Sequence, residues 1–153
     1  GAQPLRKETF TAGPLFRELV AQFYDSPLAE NCEITLNQTN AAEHAQISVD
    51  RALLARLLEN LLSNSVRHNS ESVKICIETE IRENFLYLTV IDNGKGYPPE
   101  ILAALNLQET TENTPHILGL HVVEQIAAAH GGKSIFESNY PSGARTCVWL
   151  PLG

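Results

Sequence analysis

Asn60, Asn64 and Arg67 stand at i, i+4 and i+7 in the stretch LLENLLSNSVRHNS (57–70), a spacing that puts two carboxamides and a guanidinium on one side of a helix. An amide oxygen is a neutral ligand suited to Mg²⁺ or its waters, and a guanidinium matches the oxygens of a phosphate. A solvated flank is the plainer reading of the same stripe, although asparagine is a mediocre helix former. The second group is Asp92-Asn93-Gly94-Lys95-Gly96 at the end of an apolar run. A carboxylate followed by two glycines suits a sharp turn, or a place where a ligand nears the backbone and gives the acid an exocyclic amine N–H, as on adenine. The third is HILGLHVVEQIAAAHGG, residues 116–132, where Gly119 sits at the entry to a helix. Free N–H groups at a helix start attract phosphate, and a glycine hinge is the alternative. His130 reads as a partner of the helix C-terminal dipole or as a packed side chain.

The elements that must position these groups follow from periodicity. Leu54, Leu57, Leu58, Leu61 and Ser65 form the core arc of the leucine helix, with the Asn60–Asn64–Arg67 stripe on its flank and Asp50 as its cap. Val73–Ile81 alternates, and Phe85–Ile91 is apolar on both faces, which predicts a central strand ending at Asp92. Upstream, an extended piece at Glu8–Thr11 precedes a helix over Pro14–Tyr24, with strands at Cys32–Leu36 and Gln46–Val49. His44 falls in the short polar connection between those strands. Downstream come a short helix near Pro99–Leu105, a polar stretch over 106–116, and a helix over Leu118–His130 stopped by Gly131-Gly132. Strands at Ser134–Glu137 and Arg145–Leu150 flank the turn Tyr140–Gly143. This order predicts a two-layer α/β sandwich, one mixed and mainly antiparallel sheet with helices on one face.

Composition narrows the function classes. The 153 residues are 43% hydrophobic and 19% charged, the profile of one globular domain over 1–153. A net charge of −7 argues against a general nucleic-acid or membrane-surface binder, so an anionic ligand must be held by local features. Three dispersed cysteines, Cys32, Cys76 and Cys147, suit reduced thiols in a cytosolic setting better than disulfides or zinc.

Taken in order, the N-x₃-N helix, the D-x-G-x-G turn, the polar stretch, the LGL opening a helix and the Gly143-x-x-Thr146 turn into a last strand resemble the ATP-binding domain of sensor histidine kinases. That family belongs to the GHKL superfamily of gyrase-type ATPases, with the Bergerat fold. The resemblance implies that Asn64 coordinates Mg²⁺, that Asn60 faces the phosphates, and that Arg67 stands near the terminal phosphates. It places His68 beside the nucleotide, Asp92 on the adenine amine, and Gly94 and Gly96 around that pocket. It carries Leu118, Gly119 and Leu120 onto the family's GxGL box and Thr146 onto the threonine supporting the adenine site, with the stretch about 106–117 as an ATP lid. Ile117 replaces the first glycine of GxGL, and Lys and Arg are absent between Lys95 and Lys133. These departures imply weak nucleotide affinity and slow turnover in isolation.

The implied reaction is transfer of the ATP γ-phosphoryl group to a histidine on a separate dimerisation domain, with ATP and Mg²⁺ as cofactors and a response regulator as the next partner. His44 does not qualify as the acceptor. The chain then reads as a catalytic domain apart from its substrate domain, a cytoplasmic part of a membrane-anchored receptor with no membrane contact of its own. A nucleotide-binding regulatory module without phosphotransfer and a serine kinase of the anti-sigma-factor type are the alternatives.

Overall fold

The computed structural model describes residues 4–67, 69, 71–107 and 115–153, the side chains of 106, 107 and 115–117 excepted. The chain runs β1 (Glu8–Thr11), α1 (Ala12–Tyr24), a 3₁₀ turn (Pro27–Asn31), β2 (Cys32–Gln38), α2 (Asn40–His44), β3 (Gln46–Val49) and α3 (Arg51–Arg67). It continues with β4 (Val73–Arg82), β5 (Phe85–Asp92), α4 (Pro99–Leu107), α5 (Pro115–Ala129), β6 (Lys133–Ser138) and β7 (Ala144–Pro151).

Five strands form the main sheet in the order β2-β4-β5-β7-β6. Only β2 and β4 run parallel; the other pairs are antiparallel. The strand that is apolar on both faces, β5, is central, as its composition predicts. The expectation of a single sheet is corrected at the N-terminal end. There β1 and β3 pair only with each other, Glu8 opposite Val49 through Thr11 opposite Gln46. Each has four residues, and mutual pairing satisfies the backbone groups that face each other without a place in the larger sheet.

The helices cover one face of the sheet. Leu54, Leu57, Leu58 and Leu61 of α3 and Leu120, Val123 and Ala127 of α5 are buried in one core with Ile75, Ile77, Leu86, Leu88, Val148 and Leu150 of the strands. Truncating any of these leucines to Ala should cost about 2–5 kcal/mol. The uncovered face carries Tyr87 stacked on Trp149 at 5.8 Å between ring centroids, with the Arg82 guanidinium over Tyr87. Among the described residues no helix is long and apolar enough to cross a membrane.

Most strands extend one or two residues beyond the ranges read off the sequence, and α4 runs on to Leu107; three helical differences have a physical reason. Helix α1 starts at Ala12, which puts Pro14 in the first turn, where its missing N–H costs nothing. His44 ends a single-turn helix, α2, instead of lying in an irregular connection; the Thr39 hydroxyl accepts from Ala42 N–H at its start. Helix α5 starts at Pro115 instead of Leu118, with proline at a position that suits its fixed φ.

Helices α3 and α5 run antiparallel, tied at two points. The buried His130 ring accepts the Asp50 N–H at Nε2 (3.0 Å), while Nδ1 lies 2.9 Å from the Ile126 carbonyl and donates to it. Near the start of α5 and the middle of α3, Asn60 Nδ2 donates to the Gly119 carbonyl at 3.1 Å. His130 thus acts as a packed, hydrogen-bonded strut between the two helices. Asp50 caps α3 through Leu53 N–H and also accepts Arg6 N–H. The Arg6 N–H foremost holds its carboxyl below the ordinary 3.8 against desolvation by burial, with Leu53 N–H, the His130 ring and Ala52 N–H adding smaller pulls in the same direction as Arg6.

Candidate functional site

Asp92 closes β5 and is 5% exposed. Its Oδ1 accepts Gly94 N–H at 2.9 Å and Ala144 N–H at 3.1 Å, and its Oδ2 accepts the Ser65 hydroxyl at 2.6 Å. A carboxylate has about four lone-pair sites, so three donors leave one open, on Oδ2. Two glycines make this approach possible. Gly143 has φ 102, and a Cβ there would stand 1.8 Å from the Asp92 carbonyl oxygen; Gly96 has φ 82, and its Cβ would meet the Gly143 oxygen at 2.6 Å. The turn after β5 and the turn before β7 therefore pack backbone on backbone, which carries Ala144 N–H to the acid.

A second link joins this turn to α3. Asn69 donates through Nδ2 to the Ser65 carbonyl at 2.6 Å and accepts Lys95 N–H at 3.0 Å. Gly94 lies under that amide, where a Cβ would come within 2.3 Å of Nδ2.

Beside Asp92 opens a cavity of about 170 Å³ lined by Asn64, Ser65, Asn69, Asp92, Lys95, Gly96, Tyr97, Pro98 and Ala144. One lining residue stands out: Asn64 has a buried Oδ1 with no hydrogen-bond partner among the described residues. A buried carbonyl oxygen left without a donor is costly and fits a cation, or water held by one. No three His, Cys, Asp or Glu side chains converge as a metal site among the described residues, so a cation there would depend on this amide and on ligand oxygens. Below the cavity the Tyr97 and Thr146 hydroxyls meet at 2.6 Å, and the Tyr97 ring packs edge-on against Phe136. Burial, set against the Thr146 hydroxyl and reinforced by the Asp92 charge, pushes the Tyr97 phenol well above its ordinary value, so it stays protonated.

The structure gathers part of the expected set. Asn64, Asp92 and Gly96 line one cavity, Gly94 supplies an N–H to Asp92, and Thr146, 1% exposed, is hydrogen-bonded to Tyr97 of the lining. Asn60 gives one of its two amide N–H groups to the Gly119 carbonyl, and Arg67 is exposed at the end of α3. Leu118 is 69% exposed on α5, whereas Leu120 is wholly buried in the core. Gly119 lies inside α5, four residues past its first, so its N–H is not among the free groups of the first turn. A Cβ on Gly119 would touch nothing within 4 Å. His68 lies outside the described residues, as do 108–114 of the lid, and the side chain of Ile117 is not described.

Sequence reasoning missed Ser65, Asn69 and Tyr97. Ser65 carried a signal: a hydroxyl on the core arc of a helix must find a partner when buried. Asn69 and Tyr97 carried none, since both roles depend on how separate turns meet.

With this geometry in place, the comparisons are specific. Residues 49–153 match the family of histidine kinase-, DNA gyrase B-, and HSP90-like ATPases, and the chain belongs to that family. Its sequence is 30% identical over 139 residues to the sensor histidine kinase YvrG of Bacillus subtilis, covering 86% of this chain and 23% of that protein. The chain spans about a quarter of the length of the curated relatives it matches. The nucleotide-free catalytic domain of histidine kinase ThkA superposes with a TM-score of 0.80 at 23% identity over 97% of both chains. Full-length ShkA in complex with AMPPNP superposes with the same score and identity over 100% of this chain and 32% of that one.

Proposed function

We propose that the chain is the ATP-binding catalytic domain of a two-component sensor histidine kinase, which transfers the ATP γ-phosphoryl group to a histidine on a separate dimerisation domain. The observation that carries this reading is Asn64 Oδ1, without a partner among the described residues, on a residue that lines the same cavity as a carboxylate with a single open acceptor site. Adenine enters the cavity with its exocyclic amine toward Asp92 Oδ2, between the turns shaped by Gly94, Gly96 and Gly143. Thr146 supports the base from below through Tyr97. Asn64 Oδ1 would hold Mg²⁺, which when bound would neutralise phosphate charge. Asn60, through its second amide N–H, Arg67 and the exposed Leu118–Gly119 segment of α5 face the phosphates, Leu120 anchors that segment in the core, and His68 stands beside the nucleotide.

In the transfer, an imidazole nitrogen of the acceptor forms the new N–P bond as the bond between the β,γ-bridging oxygen and the γ-phosphorus breaks, and ADP leaves. Little covalent chemistry falls to this chain. It positions the nucleotide and stabilises charge, with Arg67 as the side chain that meets the developing negative charge. Three histidines with known positions are poor acceptors: His44 sits on a one-turn helix, His130 is locked between α3 and α5, and His121 Nδ1 is 3.1 Å from Glu124. The partners are accordingly a histidine-bearing helical domain and a response regulator, and the setting is the cytoplasmic side of a membrane-anchored receptor.

Calorimetric titration of the chain with ATP, with and without Mg²⁺, followed by phosphotransfer to a supplied histidine-bearing domain, tests the reading. Mg²⁺-dependent binding with transfer is expected. Binding without transfer to any histidine domain would favour a regulatory nucleotide module, and no binding would overturn the assignment.

A further inference from the structure

We infer that Ser65 is a specificity-determining residue of the nucleotide pocket, and that it, more than Asp92 alone, makes the site select a 6-amino purine over a 6-oxo purine. This rests on the nucleotide reading above. Asp92 Oδ1 is filled by Gly94 N–H and Ala144 N–H, and Oδ2 holds the Ser65 hydroxyl at 2.6 Å with one acceptor site left. The Ser65 proton is committed to that short, charge-assisted bond, so the oxygen turns only lone pairs to the cavity it lines.

At this point the wall presents two acceptors, Asp92 Oδ2 and Ser65 Oγ, 2.6 Å apart. One N–H of an exocyclic amine can be shared between acceptors so close together. A 6-oxo purine offers an oxygen in the same place. A carboxylate by itself does not exclude such a base, because a shift brings the N1–H of hypoxanthine or guanine onto it. That shift, however, drives the 6-oxo group against Ser65 Oγ. A serine hydroxyl that turned to meet the oxo group would give up its bond to Asp92 and leave the acid with an unfilled lone pair. Ser65 closes the register that Asp92 leaves open. Its burial, 8% exposed, keeps water from relieving the conflict.

The test is titration of the 153-residue chain and of its Ser65→Ala and Ser65→Cys variants with ATP and with inosine triphosphate, in Mg²⁺. Thermal melts without nucleotide establish that each variant is folded, and Ser65→Cys, which fills the space with a somewhat larger group that is a weak donor and acceptor, carries the test if Ser65→Ala does not fold. The wild type is expected to bind ATP at least tenfold more tightly than inosine triphosphate, and loss of the hydroxyl to shrink that ratio about five- to tenfold. A folded variant that keeps the wild-type ratio overturns the assignment of Ser65 while leaving the nucleotide reading intact. A wild-type chain that binds neither nucleotide overturns that reading and this inference together.

Discussion

Asp92 has two duties that its substitutions can separate. Ala at this position leaves the Ser65 hydroxyl and two backbone N–H groups without an acceptor, so Asp92→Ala should lose about 2–4 kcal/mol of stability along with any ligand. Asp92→Asn keeps the shape and one carbonyl oxygen for the two N–H groups, and Ser65 can turn to accept from the new amide. We expect the Asn variant to melt close to wild type yet bind ATP tenfold or more weakly by calorimetry, because the open acceptor on Oδ2 becomes a donor. Equal ATP affinity in a folded Asn variant would remove Asp92 from base recognition. Asn64 differs in kind: its Oδ1 has no partner among the described residues, so little native bonding is lost with it. Asn64→Ala should therefore leave the melting temperature within a degree or two of wild type, or raise it, while abolishing the gain in ATP affinity that Mg²⁺ confers. A large drop in stability without nucleotide would mark the amide as structural.

At the scale of elements, Gly119 and Asp50 test how α5 and α3 are built. Gly in a helix interior is less favourable than Ala by about 0.5–1 kcal/mol, and here a Cβ would meet open space. Gly119→Ala is expected to stabilise the chain by up to about that amount in denaturant melts, and at the same time to weaken ATP binding if this stretch lies against phosphate. Unchanged affinity would detach α5 from the nucleotide. For Asp50 the folded carboxyl titrates below its ordinary value, so its contribution is present above that value and is lost as pH falls through the lower folded one. Asp50→Asn keeps a capping side chain and removes the titration. Its stability should decline less steeply than that of wild type below about pH 4, followed by urea unfolding. These elements were also where sequence patterning was most informative. The period of α3 and the two-sided apolar run of β5 placed both correctly, because burial on a fixed face dictates residue type. The separate β1–β3 ribbon and the early start of α5 left no such mark, since a four-residue strand and a proline near a polar stretch fit either outcome.

For the whole molecule, the cavity lies where three segments distant in sequence converge: the last turns of α3, the turn after β5 and the turn before β7. That convergence explains why Asp92, Gly94 and Asn64 could be singled out by motif while Ser65, Asn69 and Tyr97 could not. The motif residues carry their chemistry locally, but the others act only through contacts 27, 26 and 49 residues away in sequence. The same convergence makes ligand binding a property of the entire fold. A nucleotide that binds only the assembled cavity stabilises the folded state by RT ln(1 + [L]/Kd), about 2.7 kcal/mol at a hundred times Kd. The chain should therefore melt several degrees higher in saturating ATP and Mg²⁺, whereas Gly143→Ala should show no such shift. A Cβ at Gly143 would push Ala144 N–H off Asp92 and part the two turns, so this variant should also start from a lower melting temperature. Differential scanning calorimetry with and without nucleotide reads both effects. An ATP-dependent shift of wild-type size in a folded Gly143→Ala chain would mean that nucleotide binds away from the junction of these turns.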